Sequence, residues 1–178
     1  EKVGSGGMGT VYRALDIQRG CFVALKLARG QADLERFLRE ATALASVSHP
    51  RVVRYVAHGT LDGALFLAME WLAGEDLAAH LERGQLDVEQ SLVVGRAAAD
   101  ALAALHERGL VHRDVKPSNL FLVGGKLDGL KLLDFGIARS MREIVHLTQT
   151  GQALGTPSYM APEQARGDDR IDARADVF

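Results

Sequence analysis

Eight consecutive residues, His112-Arg113-Asp114-Val115-Lys116-Pro117-Ser118-Asn119, bring a carboxylate, an ammonium and a side-chain amide into a span of six positions. Asp114 can accept a proton, Lys116 can steady a phosphate, and the amide oxygen of Asn119 can ligate a hard cation. Written as H-R-D-x-K-P-x-N, the fixed letters at about one in twenty each would arise by accident a few times in roughly a million chains of this length. The spacing is therefore informative in itself.

The elements around this stretch must aim it. Residues 120–123 and 130–133 read as two strands joined by turns at Gly124-Gly125-Lys126 and Asp128-Gly129, and the second runs into Asp134-Phe135-Gly136. Asn119 and Asp134 then terminate neighbouring strands of one hairpin and can converge on one point. An amide oxygen plus a carboxylate is a fitting partial shell for Mg²⁺, or Mn²⁺ in its place. Upstream, residues 87–108 predict a long helix with Val88, Leu92, Ala99, Leu102 and Leu105 on one face, Gly109 after its end, and His106 and Arg108 in its last turn. A shorter helix is expected over 75–83, closed by Gly84.

Near the start, Gly4-Ser5-Gly6-Gly7-Met8-Gly9 is followed by the β-branched and aromatic run Thr10-Val11-Tyr12. A dinucleotide fold would open a helix here, and a P-loop would need Lys and Ser or Thr after the last glycine. What remains is a glycine-rich hairpin whose backbone N–H groups can approach phosphate oxygens. Residues 22–27 form the next strand, antiparallel to 10–14. Residues 33–47 carry Leu34, Phe37, Leu38, Ala41, Leu44 and Ala45 at helical spacing behind a candidate N-cap, Asp33, and Ser48-His49-Pro50 ends that helix. Strands over 52–57 and 64–70, joined through Leu61-Asp62-Gly63, complete a five-stranded sheet with one helix.

Composition narrows the function classes. Of 178 residues, 47% are hydrophobic and 25% charged, a soluble globular composition. A formal net charge of −2 provides no global field for nucleic acid or an anionic membrane, so no nucleic-acid partner is expected and any phosphate site is local. The single cysteine, Cys21, excludes an internal disulfide and fits a reducing compartment. His49, His58, His80, His106 and His146 read as structural or solvated, without zinc-ligand spacing. No apolar run approaches the roughly 20 residues of a spanning helix. The expected location is cytoplasmic, either free or as the cytoplasmic part of a membrane-anchored receptor.

Residues 112–119 resemble the catalytic loop of the eukaryotic-type protein kinases, and Lys116 resembles their Ser/Thr branch. Asp134-Phe135-Gly136, Ala161-Pro162-Glu163 and Val23-Ala24-Leu25-Lys26 are similar to further motifs of that family. Together with Thr148-Gln149-Thr150, the longer run Asp134-Phe135-Gly136-Ile137-Ala138-Arg139, Gly155-Thr156-Pro157-Ser158-Tyr159-Met160-Ala161-Pro162-Glu163-Gln164-Ala165-Arg166-Gly167 and the arginine-rich composition, they look like bacterial Ser/Thr kinases of the Hanks type. The resemblance implies an α+β, bilobal fold: a small antiparallel five-stranded lobe with one helix, and a mainly helical large lobe.

It further implies a division into 1–69, a hinge at 70–74, and 75–178 with an activation loop at 134–163. Val3, Gly4, Ser5, Gly6, Gly7, Met8, Gly9, Val11, Ala24, Met69, Glu70, Leu72 and Phe121 would surround ATP. Met69 would be the gatekeeper, and the backbone of Glu70 and Leu72 would meet the adenine edge. Lys26 would pair with the phosphates and with Glu40, chosen over Glu35 because it lies beside the apolar stripe and at the family's usual position. Asn119 and Asp134 would hold the metal, Asp114 would serve as base, Lys116 would stabilise the moving phosphoryl group, and Thr156 would contact Asp114 and Lys116. Asp176 would anchor the catalytic-loop backbone. Thr148 and Thr150 are the expected phosphorylation sites, modified within a kinase–kinase dimer.

The implied activity is that of a non-specific Ser/Thr protein kinase acting on protein substrates. The alternatives are an ATP-binding pseudokinase or scaffold, a small-molecule phosphotransferase, and a plain interaction domain. The motif set also reads as cut within the first strand and at the start of the central large-lobe helix, which leaves Glu163 without the family's arginine partner. An isolated segment of this kind is expected to be poorly stable or inactive.

Overall fold

The computed structural model describes residues 1–6, 9–27, 34–61, 63–133, 157–168 and 170–178. Five antiparallel strands form the first sheet: β1 (Lys2–Gly6), β2 (Gly9–Asp16), β3 (Cys21–Leu27), β4 (Tyr55–Leu61) and β5 (Ala64–Glu70), in the order β1-β2-β3-β5-β4. The last described pair of β1–β2 is Gly6 opposite Gly9, and that of β4–β5 is Leu61 opposite Ala64. Helix α1 (Leu34–Ser46) lies between β3 and β4 in the chain. Its buried side chains include Ala41, Ala43 and Leu44, while Leu38 and Ala45 of the expected stripe are exposed. Asp33, the candidate cap, lies outside the described residues.

The second half contains β6 (Gly74–Asp76), α2 (Leu77–Glu82), α3 (Val88–His106), β7 (Leu120–Val123), β8 (Leu130–Leu132) and α4 (Pro162–Arg166). Strands β6, β7 and β8 form a small antiparallel sheet in that order. One apolar cluster runs from Ala41, Leu44 and Leu67 through Val52 and Val53 to Ala101, Leu105, Leu122 and Leu132, so the two halves share a core. No helix among the described residues is long and apolar enough to cross a membrane.

Three expectations need correction. The fourth strand was expected over 52–57 but begins at Tyr55 and runs to Leu61. Val52 and Val53 face the other half of the molecule, where Val53 N–H donates to the Leu132 carbonyl (3.0 Å) and Leu132 N–H to the Arg51 carbonyl (2.7 Å). The helix expected over 75–83 starts at Leu77, because the preceding residues pair with β7 and Asp76 caps the helix by accepting the Ala79 N–H (2.9 Å). Only glycine fits at the start of β6. Gly74 has φ +148, and a Cβ there would stand 2.0 Å from the Leu122 carbonyl oxygen.

The third correction concerns α3. Asp87 and Gln90 form a reciprocal capping box at its start, and Gly109, at φ +68, follows its end. Its buried face carries Val94, Ala97, Ala101, Leu102, Ala104 and Leu105, whereas Val88 and Leu92 are 76% and 65% exposed. Ala99 is exposed as well. The buried stripe lies against β8 and the Leu127–Gly129 turn and is rotated from the one that the largest apolar side chains suggest.

Candidate active site

Residues 110–116 adopt neither helix nor strand, so side chains must fix their path. Asp176, buried in a 3₁₀ turn at Ala173–Asp176, does most of this. Its Oδ2 accepts the His112 N–H (2.8 Å) and its Oδ1 the Arg113 N–H (2.7 Å). His106 Nε2, from the last turn of α3, meets the same Oδ2 at 2.8 Å. The anchoring expected of Asp176 is thus present in the geometry, and His106 has a specific partner.

His112 is fully buried and braces two peptides. Its Nδ1 accepts the Asp114 N–H (3.2 Å), which leaves Nε2 as the protonated nitrogen donating to the Leu133 carbonyl (2.9 Å). The first peptide leads into Asp114 and the second into Asp134. Arg113, between them, is the only described non-glycine residue with positive φ, at 64°. An L-residue held there stores about 1–2 kcal/mol of backbone strain. Its carbonyl accepts the side-chain amide of Gln164 (2.9 Å), on α4.

Asp114 emerges from this frame. Its Oδ2 lies 3.0 Å from Lys116 Nζ and accepts Asn119 Nδ2 at 3.0 Å, and the same Nδ2 donates to the Asp114 carbonyl at 2.7 Å. Pro117 opens the 3₁₀ turn Pro117–Asn119 that brings Asn119 back onto Asp114. With its Nδ2 spent on Asp114, Asn119 has Oδ1 left for a cation, the hard oxygen donor that Mg²⁺ takes. Asn119 is also fixed to the strand that leads to Asp134, since Leu133 N–H donates to the Asn119 carbonyl (2.8 Å). Asp134 itself lies outside the described residues.

Register organises the sheet side of the site. Val11 pairs with Lys26 and Lys26 with Leu67; Ala24 pairs with Met69. Directly opposed residues share a face, so Val11, Ala24, Lys26 and Met69 line one side. Lys26 is 6% exposed and Met69 is buried. Gly4, Ser5, Gly6 and Gly9 belong to the β1–β2 hairpin, which carries Val3 on its first strand. Gly7, Met8, Thr148, Thr150 and Thr156 lie outside the described residues. Glu40 stands on α1, but its side chain, like that of Ser5, is also outside them.

Between the halves, Glu70 ends β5 and Leu72 packs against the core cluster. The Glu70 side chain, expected only to contribute its backbone, bonds on both sides. Its Oε1 accepts the Arg54 N–H (2.8 Å) and meets Lys131 Nζ on β8 at 2.5 Å, with the two side chains 18% and 20% exposed. Phe121 pairs with Lys131 across β7–β8 and shares its face. Trp71 lies 5.4 Å from the Arg13 guanidinium, which covers Phe22 at 3.8 Å. Sequence inspection missed Gln164, Lys131 and the carboxylate of Glu70. A buried polar side chain far along the chain from its partner leaves no local pattern.

The protein kinase domain family matches residues 1–178, the whole chain. This chain belongs to the protein kinase family. Among its relatives, the kinase domain here is 40% identical over 184 residues to the serine/threonine-protein kinase pkn2 of Myxococcus xanthus, covering 99% of this chain and 22% of that protein. It is 38% identical over 187 residues to the serine/threonine-protein kinase PknB of Mycobacterium leprae, covering 99% and 28%. The crystal structure of the Mycobacterium tuberculosis PknI kinase domain matches with a TM-score of 0.76 at 33% identity, over 99% of this chain and 65% of that one. The kinase chain thus spans about a quarter of the length of these two curated relatives. The α+β, bilobal protein-kinase-like fold expected from the motifs is the fold observed.

Proposed function

We propose that this chain forms part of a Ser/Thr protein kinase that transfers the γ-phosphoryl group of ATP to Ser or Thr hydroxyls of protein substrates. One observation carries the proposal: the Asp114 carboxylate stands 3.0 Å from both Lys116 Nζ and Asn119 Nδ2, on a backbone fixed from both sides.

Gly4, Gly6 and Gly9 cover the nucleotide, and Lys26 pairs with its phosphates. Val3, Val11, Ala24 and Phe121 would line the adenine site with Met69 as gatekeeper, and the backbone of Glu70 and Leu72 would bond the adenine edge. Glu40 holds Lys26 in place. Asp114 orients the substrate hydroxyl and accepts its proton as the oxygen attacks the γ-phosphorus. The bond to the β-phosphate oxygen breaks and ADP leaves, while Lys116 balances charge on the group in flight. Mg²⁺ or Mn²⁺, held by Asn119 and Asp134, supplies charge neutralisation of the phosphates when bound. Thr156 steadies Asp114 and Lys116. Phosphate on Thr148 or Thr150, added between two kinase copies, would add about −2 charge for Arg113 and Arg139 to bind. The site works in the cytoplasm, free or below a membrane anchor.

The test is phosphotransfer by the full-length protein to a Ser/Thr protein substrate, with phosphosites read by mass spectrometry. Asp114→Asn should lower transfer by about 10²–10⁴-fold. Equal transfer by parent and variant would refute the assignment.

A further inference from the structure

Gln164 has no part among the site residues that the motifs name, yet it is 4% exposed and uses both ends of its amide. Its Oε1 accepts the Ala161 N–H (3.1 Å) at the start of α4, and its Nε2 donates to the Arg113 carbonyl (2.9 Å), 51 residues away. Arg113 is the one described non-glycine residue in the left-handed region. A peptide unit is a rigid plane, and the plane joining Arg113 to Asp114 is held at one edge by Gln164 and at the other by His112 Nδ1 (3.2 Å). Asp176 fixes the preceding N–H but does not touch this plane.

We infer that Gln164 is a positioning residue for phosphotransfer: its amide holds the Arg113 carbonyl, and so sets the direction in which the Asp114 carboxylate leaves the backbone. The inference rests on the kinase assignment and adds to it a specific coupling between α4 and the base. A residue that merely capped α4 would need only its Oε1. Holding the carbonyl needs the N–H donor, which glutamine has and glutamate and methionine lack.

The experiment measures kcat, KM for ATP, and melting temperature in the full-length protein for Gln164→Glu and Gln164→Met, each with Arg113 and with Arg113→Gly. Glycine occupies the left-handed region without strain, so it should relieve the need for the clamp. With Arg113 present, both variants are expected to lose on the order of tenfold in kcat with little change in KM. In the Arg113→Gly background the same substitutions should cost only about twofold, on the principle that coupled residues are non-additive. If Gln164→Met is too unstable to assay, Gln164→Glu, which keeps the cap on Ala161, decides.

An unchanged kcat in a folded variant would overturn the inference, as would a loss of equal size in both backgrounds. Parent and Asp114→Asn run alongside. If the parent transfers phosphate and Asp114→Asn does not, a null result at Gln164 removes only this inference. A parent that transfers none removes both.

Discussion

The five-stranded sheet and the loop at residues 110–119 hold their candidate site side chains by opposite means. In the sheet, Val11, Ala24, Lys26 and Met69 are placed by register, through backbone ladders that any strand-forming sequence makes. The loop has no ladder. Its backbone groups are claimed one at a time by side chains of Asp176, Gln164, Asn119 and His112, and the first two lie 51–64 residues along the chain from the atoms they hold. A ladder spreads its stabilisation over many small contributions, whereas the loop concentrates it in a few buried polar groups whose loss leaves donors or acceptors unsatisfied. Errors should therefore be far costlier in the loop.

The sharpest break of that contrast is Asp176→Ala. It orphans the N–H groups of His112 and Arg113 and removes the partner of His106. At about 1–3 kcal/mol for each unsatisfied buried group, a loss of roughly 2–5 kcal/mol in denaturant unfolding is expected, together with near-complete loss of phosphotransfer. Retention of both would mean that the loop is held by something else.

Glu70 and Lys131 lie where the two regimes meet, a sheet end tied by a side chain to β8. Lys131→Met leaves a mostly buried carboxylate without its counter-charge, and Glu70→Gln removes the charge while keeping an acceptor for Arg54. Lys131→Met should be the more destabilising, by about 1–3 kcal/mol, and should raise KM for ATP more than it lowers kcat. Chemical denaturation and steady-state kinetics on both variants check the order.

The smallest effect is expected at a surface cluster. Arg83, bonded to Glu75 through both carboxylate oxygens, and His80 hold the Glu75 carboxyl down at about 2, from an ordinary value of 4.5. A depressed carboxyl contributes stability above its unfolded value, and that contribution fades as pH falls through the folded one. Glu75→Gln should therefore lower the melting temperature slightly above pH 4.5, and the difference should vanish toward pH 2. A pH-independent difference would remove the ion pair as its source.

The same contrast explains what the chain disclosed before its structure was known. β-Branched, aromatic and apolar runs bounded by turn residues located β2, β3 and β5, because a ladder is written in neighbouring residues. The β7–β8 hairpin and the C-terminal end of α3 were legible from turn glycines, whereas the Asp87–Gln90 capping box at its start became visible only in the structure. The motif letters identified Asp114, Lys116 and Asn119, and the structure brings these three together. Gln164 and the Glu70 carboxylate stayed hidden, because their partners are set by tertiary approach alone. Val52-Val53 was mistaken for strand because a buried valine pair reads alike whether it joins a ladder or docks across a core. Val88 and Leu92 suggested the wrong face of α3 because large apolar side chains outweigh the alanines that pack closely.

The central claim is that the loop exists to aim the Asp114 carboxylate. It is tested most directly by pairing nucleotide affinity with single-turnover phosphotransfer in full-length Asp114→Asn. The account predicts ATP affinity within about twofold of the parent and transfer reduced by about 10²–10⁴-fold. Transfer at the parent's rate, or a loss of transfer explained wholly by lost ATP binding, would contradict it.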